Sequence, residues 1–151
     1  MVLIEDTRNK VGKHKNVAAY CQRCGIELVR QKLDYGDYMM QGGSISVDTK
    51  QDLEEVATNL MNRSHRDSTR FWNEIRNAHQ NGIQLVILVE HGGGIKSIND
   101  VPKWRSKYSQ VTGRRLIDEM IRCEMAYGVR WVFTDKRSTG KRIVEILIGK
   151  G

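Results

Sequence analysis

Two aspartates and a lysine are the residues in this sequence whose types and spacing point most clearly to chemistry. Asp48 and Lys50 lie two positions apart in the stretch Ser46-Val47-Asp48-Thr49-Lys50, and alternate residues of a β-strand project from the same face. The glycines at 42 and 43 predict a turn that folds the preceding segment back along this strand, which brings Asp37 beside Asp48. Two carboxylates and an ammonium group then converge at one place.

This combination suits the hydrolysis of a phosphodiester bond. The carboxylates of Asp37 and Asp48 are hard ligands for Mg²⁺ or Mn²⁺, and the backbone carbonyl of Thr49 offers a further oxygen between them. The metal polarises the phosphate and lowers the pKa of a bound water, while Lys50 orients that water or helps to deprotonate it. An Asp-x-Lys triplet also occurs by chance on solvated strands as a simple surface ion pair, so the surrounding elements must decide between the two interpretations.

The surrounding sequence alternates between strand and helix patterns. The predicted order is strand, helix, three strands, two helices, strand, helix, strand, helix. Lys32 to Met40 and Ile45 to Lys50 are predicted to form a hairpin, after which an amphipathic helix begins. Leu85 to Val89 is an unbroken apolar run, typical of a central strand buried on both faces. Ser138 is predicted to cap the last helix. The order predicts an α/β three-layer sandwich with a central mixed sheet.

The composition predicts one globular domain over residues 1–151 with a polyanionic partner. Lys and Arg number 25 and Asp and Glu 18, which gives a net charge of +7. Such a charge favours nucleic acid, because cationic side chains release counterions from phosphates. The apolar runs are shorter than the ~20 residues needed to cross a bilayer, and the N-terminus lacks the layout of a signal peptide. We therefore expect a cytoplasmic protein with no membrane partner.

The other reactive residue types predict no second centre. Cys21-x-x-Cys24 has no second cysteine pair, and both cysteines are predicted to face the core of a helix that ends at Gly25. The histidines share no metal-ligand spacing. Gly92-Gly93-Gly94 lacks the strand-turn-helix context of a nucleotide-binding loop and is predicted to be a flexible connection.

Basic side chains are concentrated in two stretches that suit phosphate contacts. The first is the polar break before the third helix, and the second is an irregular segment where Trp104 and Tyr108 lie among cations. An exposed aromatic ring there can stack on an unpaired base. The alternative is a solvated basic surface in which Trp104 anchors the loop. The residues expected to contact DNA are Arg8, Arg63, Arg66, Arg70, Lys103, Arg105, Arg114 and Arg115.

Through these residues the sequence resembles the XPF-type nuclease domain, the excision-repair branch of the PD-(D/E)XK superfamily. That family shows Gly-Asp-Tyr, a variable gap, then Glu-Arg-Lys-x-x-x-Asp leading into a helix. The corresponding residues here are Gly36-Asp37-Tyr38 and Asp48-Thr49-Lys50, with Glu54 in the place of the last Asp. The family's Asp-x-Arg-Glu after the first strand is matched by Asp6-Thr7-Arg8, with Asn9 in the place of Glu. The resemblance covers almost the whole chain and is closest in size to compact single-domain forms of bacteria and their phages.

The resemblance implies a restriction-endonuclease-like fold and a Mg²⁺- or Mn²⁺-dependent DNA endonuclease that is selective for flaps, forks or junctions. It implies that Asp37 and Asp48 are metal ligands, that Lys50 is the catalytic lysine and that Asp6 is an auxiliary acidic residue near the metal. It also implies action as a homodimer or with a partner subunit. Glu54 either reaches the edge of the sheet where these residues lie or is solvated. Glu90 either has a role in the site or contacts solvent.

Three departures from the family pattern leave alternatives open. Asp48 replaces Glu, Thr49 replaces Arg and Asn9 replaces Glu. A catalytically inactive DNA-binding or scaffold subunit is therefore the first alternative. A nuclease acting on RNA is the second, and a non-nuclease enzyme acting on a small phosphorylated substrate fits the charge less well.

Overall fold

In the computed structural model, which describes residues 1–149, six strands form one mixed sheet. The strands are β1 (Val2–Glu5), β2 (Glu27–Arg30), β3 (Tyr38–Met40), β4 (Ile45–Lys50), β5 (Gln84–Val89) and β6 (Arg130–Phe133). The helices are α1 (Lys15–Arg23), α2 (Leu53–Met61), α3 (Arg66–Gln80), α4 (Gly113–Tyr127) and α5 (Thr139–Leu147), with short 3-10 turns at Ile98–Lys103 and Lys136–Ser138. The predicted order of elements is confirmed. Residues 150 and 151 of the predicted domain lie outside the described residues.

The strand order in the sheet is β2-β1-β3-β4-β5-β6. β1 pairs in parallel with β2, and β5 pairs in parallel with both β4 and β6. β3 runs antiparallel to β1 and β4, with which it pairs on either side. The carboxyl ends of the five other strands therefore meet at one edge of the sheet, and the chain enters β3 at that same edge. Asp37 lies at this entry.

Helices cover both faces of the sheet, as the predicted three-layer sandwich requires. Leu85, Ile87 and Val89 of β5 belong to an apolar cluster with residues of α2, α3 and α4. Val86 and Leu88 belong to a second cluster with residues of α1 and α5. The apolar run of β5 is thus buried on both faces, which is the expected pattern for a central strand between two helical layers. The predicted α/β fold class is confirmed.

The segment before β3 differs from the prediction. The hairpin of β3 and β4 exists, but the strand predicted over Lys32 to Met40 is limited to Tyr38–Met40. β2 instead pairs in parallel with β1 after a crossover through α1. The chain must then pass the end of β1 to reach its other side, and this passage is fixed by a hydrogen bond from the Leu33 N–H to the Asp6 carboxylate at 2.9 Å.

Two local predictions also need correction. Cys21 is buried but Cys24 is exposed, because α1 ends at Arg23 and Cys24 lies beyond its apolar stripe. Ser138 occupies the N-cap position of α5, but its side chain makes no capping hydrogen bond. The Ser138 backbone N–H instead donates to the Asp135 carboxylate at 2.9 Å. Within residues 1–149 no helix is long and apolar enough to cross a membrane.

Candidate active site

The position of Asp37 is fixed by the glycine that precedes it. Gly36 has φ +64°, and a Cβ atom there would lie 2.2 Å from Ser46 Oγ and 2.8 Å from the Val47 carbonyl oxygen. Only glycine combines this backbone conformation with so close an approach to the neighbouring strand. The Asp37 N–H then donates to the Val47 carbonyl oxygen at 2.7 Å. The Gly-Asp pair therefore presses the start of β3 against the middle of β4.

Thr49 holds the Asp37 side chain. Its N–H donates to Asp37 Oδ2 at 2.9 Å and its hydroxyl donates to the same oxygen at 2.8 Å. Along β4, the Val47 carbonyl faces β3 and the Lys50 carbonyl accepts from the Glu90 N–H on the β5 side at 2.8 Å. Since successive carbonyls of a strand point to opposite neighbours, the Thr49 carbonyl points to the side of Asp37.

Asp48 and Lys50 share one face of β4, as the period-two alternation predicted. The Asp48 side chain is buried, and Lys50 Nζ lies 3.4 Å from its Oδ2 atom. The ammonium group also lies 4.5 Å from the centre of the Phe71 ring on α3. The lysine is therefore fixed between a carboxylate and an aromatic face, pointing away from Thr49 and towards the layer of α2 and α3.

Glu74 of α3 joins this group and was missed by the sequence analysis. The Asp48 carboxyl group interacts with the carboxyl groups of both Asp37 and Glu74. The three acids therefore form a row with Asp48 at its centre. Glu74 Oε1 is buried and has no hydrogen-bond partner among the described residues. A signal was present in the sequence, because Phe71, Glu74 and Ala78 have i, i+3, i+7 spacing, so an acid interrupts the apolar stripe of the helix.

Burial of this row changes the protonation of its members. Burial, reinforced by the neighbouring Asp48, raises the pKa of Asp37 to about 7. Burial also raises the pKa of Asp48 to about 7, although the Lys50 ammonium acts in the opposite direction. The pKa of Glu74 is raised as well, again chiefly by burial. Without a cation, the row therefore retains protons near neutral pH, because several carboxylates cannot all ionise in a desolvated space.

Lys50 is held in its charged form. Burial acts to lower the pKa of its ammonium group, but the carboxylates of Asp48, Glu55, Glu74 and Asp37 together outweigh burial and raise the pKa. A permanently charged lysine is a poor proton acceptor at neutral pH. The structure therefore favours the first of its two predicted roles, in which the ammonium orients a water molecule and stabilises negative charge.

The donor set fits a hard divalent cation that keeps part of its water shell. Within residues 1–149, no three Asp, Glu, His or Cys side chains form a ready-made metal cage, since the acids lie in a row. Mg²⁺ is usually bound through one or two carboxylates and several waters, which matches Asp37, Asp48 and the Thr49 carbonyl. The buried Glu74 Oε1, which has no hydrogen-bond partner within residues 1–149, is the orphaned acceptor expected beside such a hydrated ion.

Asp6 and Arg8 border the row. Asp6 Oδ1 accepts from the Leu33 N–H at 2.9 Å, and its Oδ2 accepts from Arg8 Nε at 2.7 Å. Both carboxylate oxygens are thus engaged, one by the Leu33 backbone and one by Arg8, whose pKa is raised by the hydrogen bond with Asp6. The Arg8 side chain is 63% exposed, and its guanidinium lies within electrostatic reach of Glu74 and Asp37. Direct ligation of a metal by Asp6 stays a prediction.

A second polar network supports the site from the face covered by α1 and α5. The Tyr38 hydroxyl donates to Glu5 Oε2 at 2.6 Å, and Arg30 donates to the other Glu5 oxygen. His14, which the sequence analysis left without a role, lies with Nε2 3.4 Å from Thr49 Oγ1. Burial lowers the pKa of His14. The His14 ring, whose centre lies 5.9 Å from that of Tyr38, links this network to Thr49 and, through Thr49, to Asp37.

The two acids with open roles lie outside the row. Glu54 accepts from Ser106 Oγ at 2.8 Å and from the Lys107 N–H at 2.7 Å. It therefore fastens the loop between the 3-10 turn at Ile98–Lys103 and α4. Glu90 accepts from the Thr139 hydroxyl at 2.8 Å, which ties the end of β5 to the start of α5.

The predicted DNA contacts are only partly gathered at the site. A cavity of about 280 Å³, here called the carboxylate cavity, lies over Asp48, Lys50 and Glu74, and Arg70 is among its lining residues. Arg63 instead stacks on Trp72, with its guanidinium carbon 4.1 Å from the ring centre, and Lys103 pairs with Asp100 at 3.0 Å. The remaining predicted contacts are exposed on α3, on the loop before α4 and on the first turn of α4: Arg66, Arg105, Arg114 and Arg115.

Two solved structures resemble this one over nearly its whole length. They are XPF from Aeropyrum pernix, with a TM-score of 0.67, and the same protein in complex with DNA, with a TM-score of 0.66. The fold is the XPF-type nuclease fold. In both comparisons the sequence identity is 21%, and the match covers 97% of this chain and 63% of the XPF chain. The chain thus spans less than two thirds of the length of these structures.

The comparison confirms the predicted resemblance at the level of the fold. No family model matches the sequence, and no curated protein matches it. At this low identity the common fold carries no side-chain chemistry with it, so any function must be argued from the residues of this chain.

Proposed function

We propose that this protein is a metal-dependent endonuclease that hydrolyses phosphodiester bonds of DNA and selects its substrate by DNA structure. The observation that carries the proposal is the convergence of Asp37, Asp48 and the charged Lys50 at one edge of the sheet. Paired buried carboxylates with raised pKa values, next to a fixed cation, are typical of a reactive centre rather than a structural ion pair.

Each residue of the row has a role in this proposal. Asp37, Asp48 and the Thr49 carbonyl would hold Mg²⁺ or Mn²⁺, which polarises the scissile phosphate and lowers the pKa of a bound water. Lys50 orients the attacking water and stabilises negative charge on the phosphate. Glu74 accepts a hydrogen bond from a water through its buried Oε1 atom. Thr49 keeps Asp37 in position, because both of its donors bind Oδ2 and leave Oδ1 for the ion.

The charge distribution supports DNA as the substrate. The net charge is +7, Arg8 lies within electrostatic reach of Asp37 and Glu74, and Arg70 lines the carboxylate cavity. Arginines bind phosphates well but read no base sequence through them, which agrees with selection by structure. The XPF structure in complex with DNA supports the same assignment by analogy of fold.

Cleavage of a panel of DNA structures tests the proposal. Labelled duplex, flap, fork and four-way-junction DNA are incubated with the protein in Mg²⁺, Mn²⁺ or EDTA, with unlabelled RNA as competitor. The variants Asp48→Asn and Lys50→Ala are compared with Asp118→Asn on α4 and Lys141→Ala on α5, which change exposed residues of the same types. We expect metal-dependent cleavage that the first two variants lose and the controls keep.

The same experiment separates the proposal from its rivals. If the wild type binds these DNAs but cuts none with either metal, the protein is an inactive DNA-binding subunit. If RNA displaces every DNA and is itself cut, the substrate class is wrong. Retention of DNA binding by Asp48→Asn, measured in EDTA, shows that lost cleavage reflects lost chemistry rather than lost folding.

A further inference from the structure

A groove leads away from the carboxylate cavity along α2. It has a volume of about 710 Å³, within the range of pockets that enclose a small organic group, about 300–1,000 Å³. Glu55, Asn59 and Asp67 line both the groove and the carboxylate cavity. The far wall of the groove is the loop before α4, including Ser106 and Tyr108. A group bound in the groove would therefore lie directly beside the reaction centre.

The lining of the groove is unsuited to phosphate. Of the described residues that line it, Asp52, Glu54, Glu55 and Asp67 are acidic and none is Lys or Arg. In a protein with a net charge of +7, this local excess of carboxylates repels a DNA backbone. A neutral group with N–H donors is what such a lining accepts.

Asn59 gives independent evidence for a donor in the groove. Its side chain is 4% exposed, and its Oδ1 atom is buried without a hydrogen-bond partner among residues 1–149. Buried acceptors in native structures are nearly always satisfied, so an orphaned one indicates a missing donor. Asn59 lines both the groove and the carboxylate cavity, so a molecule that extends from the groove to the reaction centre passes this acceptor.

Tyr108 places a flat aromatic ring at the rim of the groove. Its side chain is 86% exposed, although the loop around it is firmly held. The Tyr108 N–H donates to Ser106 Oγ at 3.1 Å, and Ser106 Oγ in turn donates to Glu54 on α2 at 2.8 Å. Trp104, by contrast, packs against the core and anchors the same loop. An exposed ring on a fixed loop is a stacking platform for a base.

Cations flank the groove on the outside. Arg66 and Arg70 lie in the first two turns of α3, and Arg105 and Lys107 are the sequence neighbours of the lining residue Ser106; all four are exposed. Phosphates would be bound along these rims while the bases point inward. This arrangement differs from the binding of a duplex, whose bases are already paired and stacked within the helix.

We propose that the groove binds an unpaired nucleobase of the DNA strand next to the scissile phosphate. The exocyclic amino group of cytosine, adenine or guanine donates to Asn59 Oδ1 and the neighbouring carboxylates, and the base stacks on Tyr108. This inference rests on the proposed function and deepens it, because an unpaired base beside the cut site would explain selection of flaps or forks over duplex.

Binding measurements in EDTA test the inference without cleavage. Fluorescence anisotropy is used to compare single strands of about twelve nucleotides, a length within the usual range of single-strand sites: oligo-dC, oligo-dT and an abasic chain of equal charge. We expect dC to bind several-fold more tightly than dT, which lacks an exocyclic amine, and the abasic chain to bind most weakly. Tyr108→Ala should weaken dC binding about tenfold, whereas Tyr108→Phe, which keeps the ring, should retain it.

A second variant addresses the orphaned acceptor. Asn59→Leu removes Oδ1 at similar size and should abolish the preference for dC over dT while leaving binding of the abasic chain unchanged. Its folding is checked by a thermal melt, and if it does not fold, the Tyr108 pair and the abasic chain decide the question alone.

The outcomes separate this inference from the proposed function. Equal affinity for the abasic chain and dC, or unchanged dC binding by Tyr108→Ala, overturns the base site even if Asp48-dependent cleavage is found. If the wild type binds none of these strands and also cuts no DNA, both proposals are overturned. If binding depends on the base but no DNA is cut, the base site is supported and the proposed nuclease function is wrong.

Discussion

Thr49 donates two hydrogen bonds to a single carboxylate oxygen of Asp37, one from its backbone N–H at 2.9 Å and one from its hydroxyl at 2.8 Å. These bonds act to lower the pKa of Asp37 against the larger effect of burial. Neither bond engages Oδ1 of the same carboxylate. Thr49 stands where the XPF-type pattern has Arg, and it thus has a function of its own, since it orients Asp37.

Thr49→Val should reduce activity without unfolding the protein. The substitution removes the hydroxyl bond but keeps the backbone bond and the β-branched shape. A hydrogen bond to a charged group contributes about 1.5–3 kcal/mol, so we expect kcat/KM for cleavage to fall about tenfold or more. Thr49→Ser, which keeps the hydroxyl, is the matched control. If serine and valine cause equal losses, the hydroxyl does not orient Asp37.

Gly36→Ala should destabilise the fold by more than its backbone conformation alone explains. Gly25 provides the control, because it also has positive φ but a Cβ there would meet nothing within 4 Å. The strained conformation costs about 1–3 kcal/mol in either variant, and Gly36→Ala adds the clash with Ser46 and Val47. Urea unfolding of both variants measures the difference. Equal losses at the two positions would show that the close approach of β3 to β4 is unimportant.

The stability of the metal-free protein should depend on pH through Asp48. Its pKa is about 7 in the folded chain and about 3.9 in an unfolded chain. The folded state therefore holds a proton that the unfolded state has lost, so this contribution to stability is full below about pH 3.9 and lost as the pH rises to about 7. Asp48→Asn mimics the neutral acid at every pH.

Thermal melts in EDTA between pH 4 and 8 check this dependence. We expect the Tm of Asp48→Asn relative to wild type to increase as the pH rises to about 7 and then to level off. Asp118→Asn, an exposed substitution on α4, should show no such trend. Addition of Mg²⁺ at pH 8 should raise the Tm of the wild type and of Asp118→Asn but not that of Asp48→Asn. A flat difference between Asp48→Asn and wild type would contradict the buried, protonated row.

Glu74→Gln should weaken metal binding while the protein stays folded. Loss of a partner in the shell around a metal commonly reduces affinity about 10- to 100-fold, so the Mn²⁺ concentration that gives half of the maximal Tm increase should rise by about that factor. The shift in Tm reports metal binding independently of cleavage. Glu124→Gln, at an exposed position of α4, is the control. Unchanged Mn²⁺ dependence would limit Glu74 to a structural role.

The part of the site within the hairpin was predictable because its geometry is local. Asp48 and Lys50 follow the two-residue period of a strand, and Asp37 follows from a turn that reverses the chain. Glu74 was missed because its position depends on how α3 packs over β4, which no local period specifies. Its interruption of the apolar stripe between Phe71 and Ala78 was the available signal.

The segment before β3 was predicted wrongly because its conformation depends on contacts between residues that are distant in sequence. The predicted strand began at Lys32, yet the hydrogen bonds of residues 31–37 go to the end of β1 and to β4. A strand pattern cannot specify which neighbour is paired, and here a parallel crossover through α1 places β2 at the sheet edge. The roles of Glu54 and Glu90 were open for the same reason, since each binds a partner about 50 residues away.

The register of β3 against β4 is set at the carboxyl edge of the sheet, by Gly36 and by the bond from Asp37 to Val47. The hairpin turn at residues 41–44 lies at the opposite edge and is exposed. Exposed turns accept inserted sequence with little loss of stability. A peptide tag or fluorophore attachment site can therefore be inserted in this turn without separating the two aspartates, which makes it a practical position for immobilising or labelling the protein.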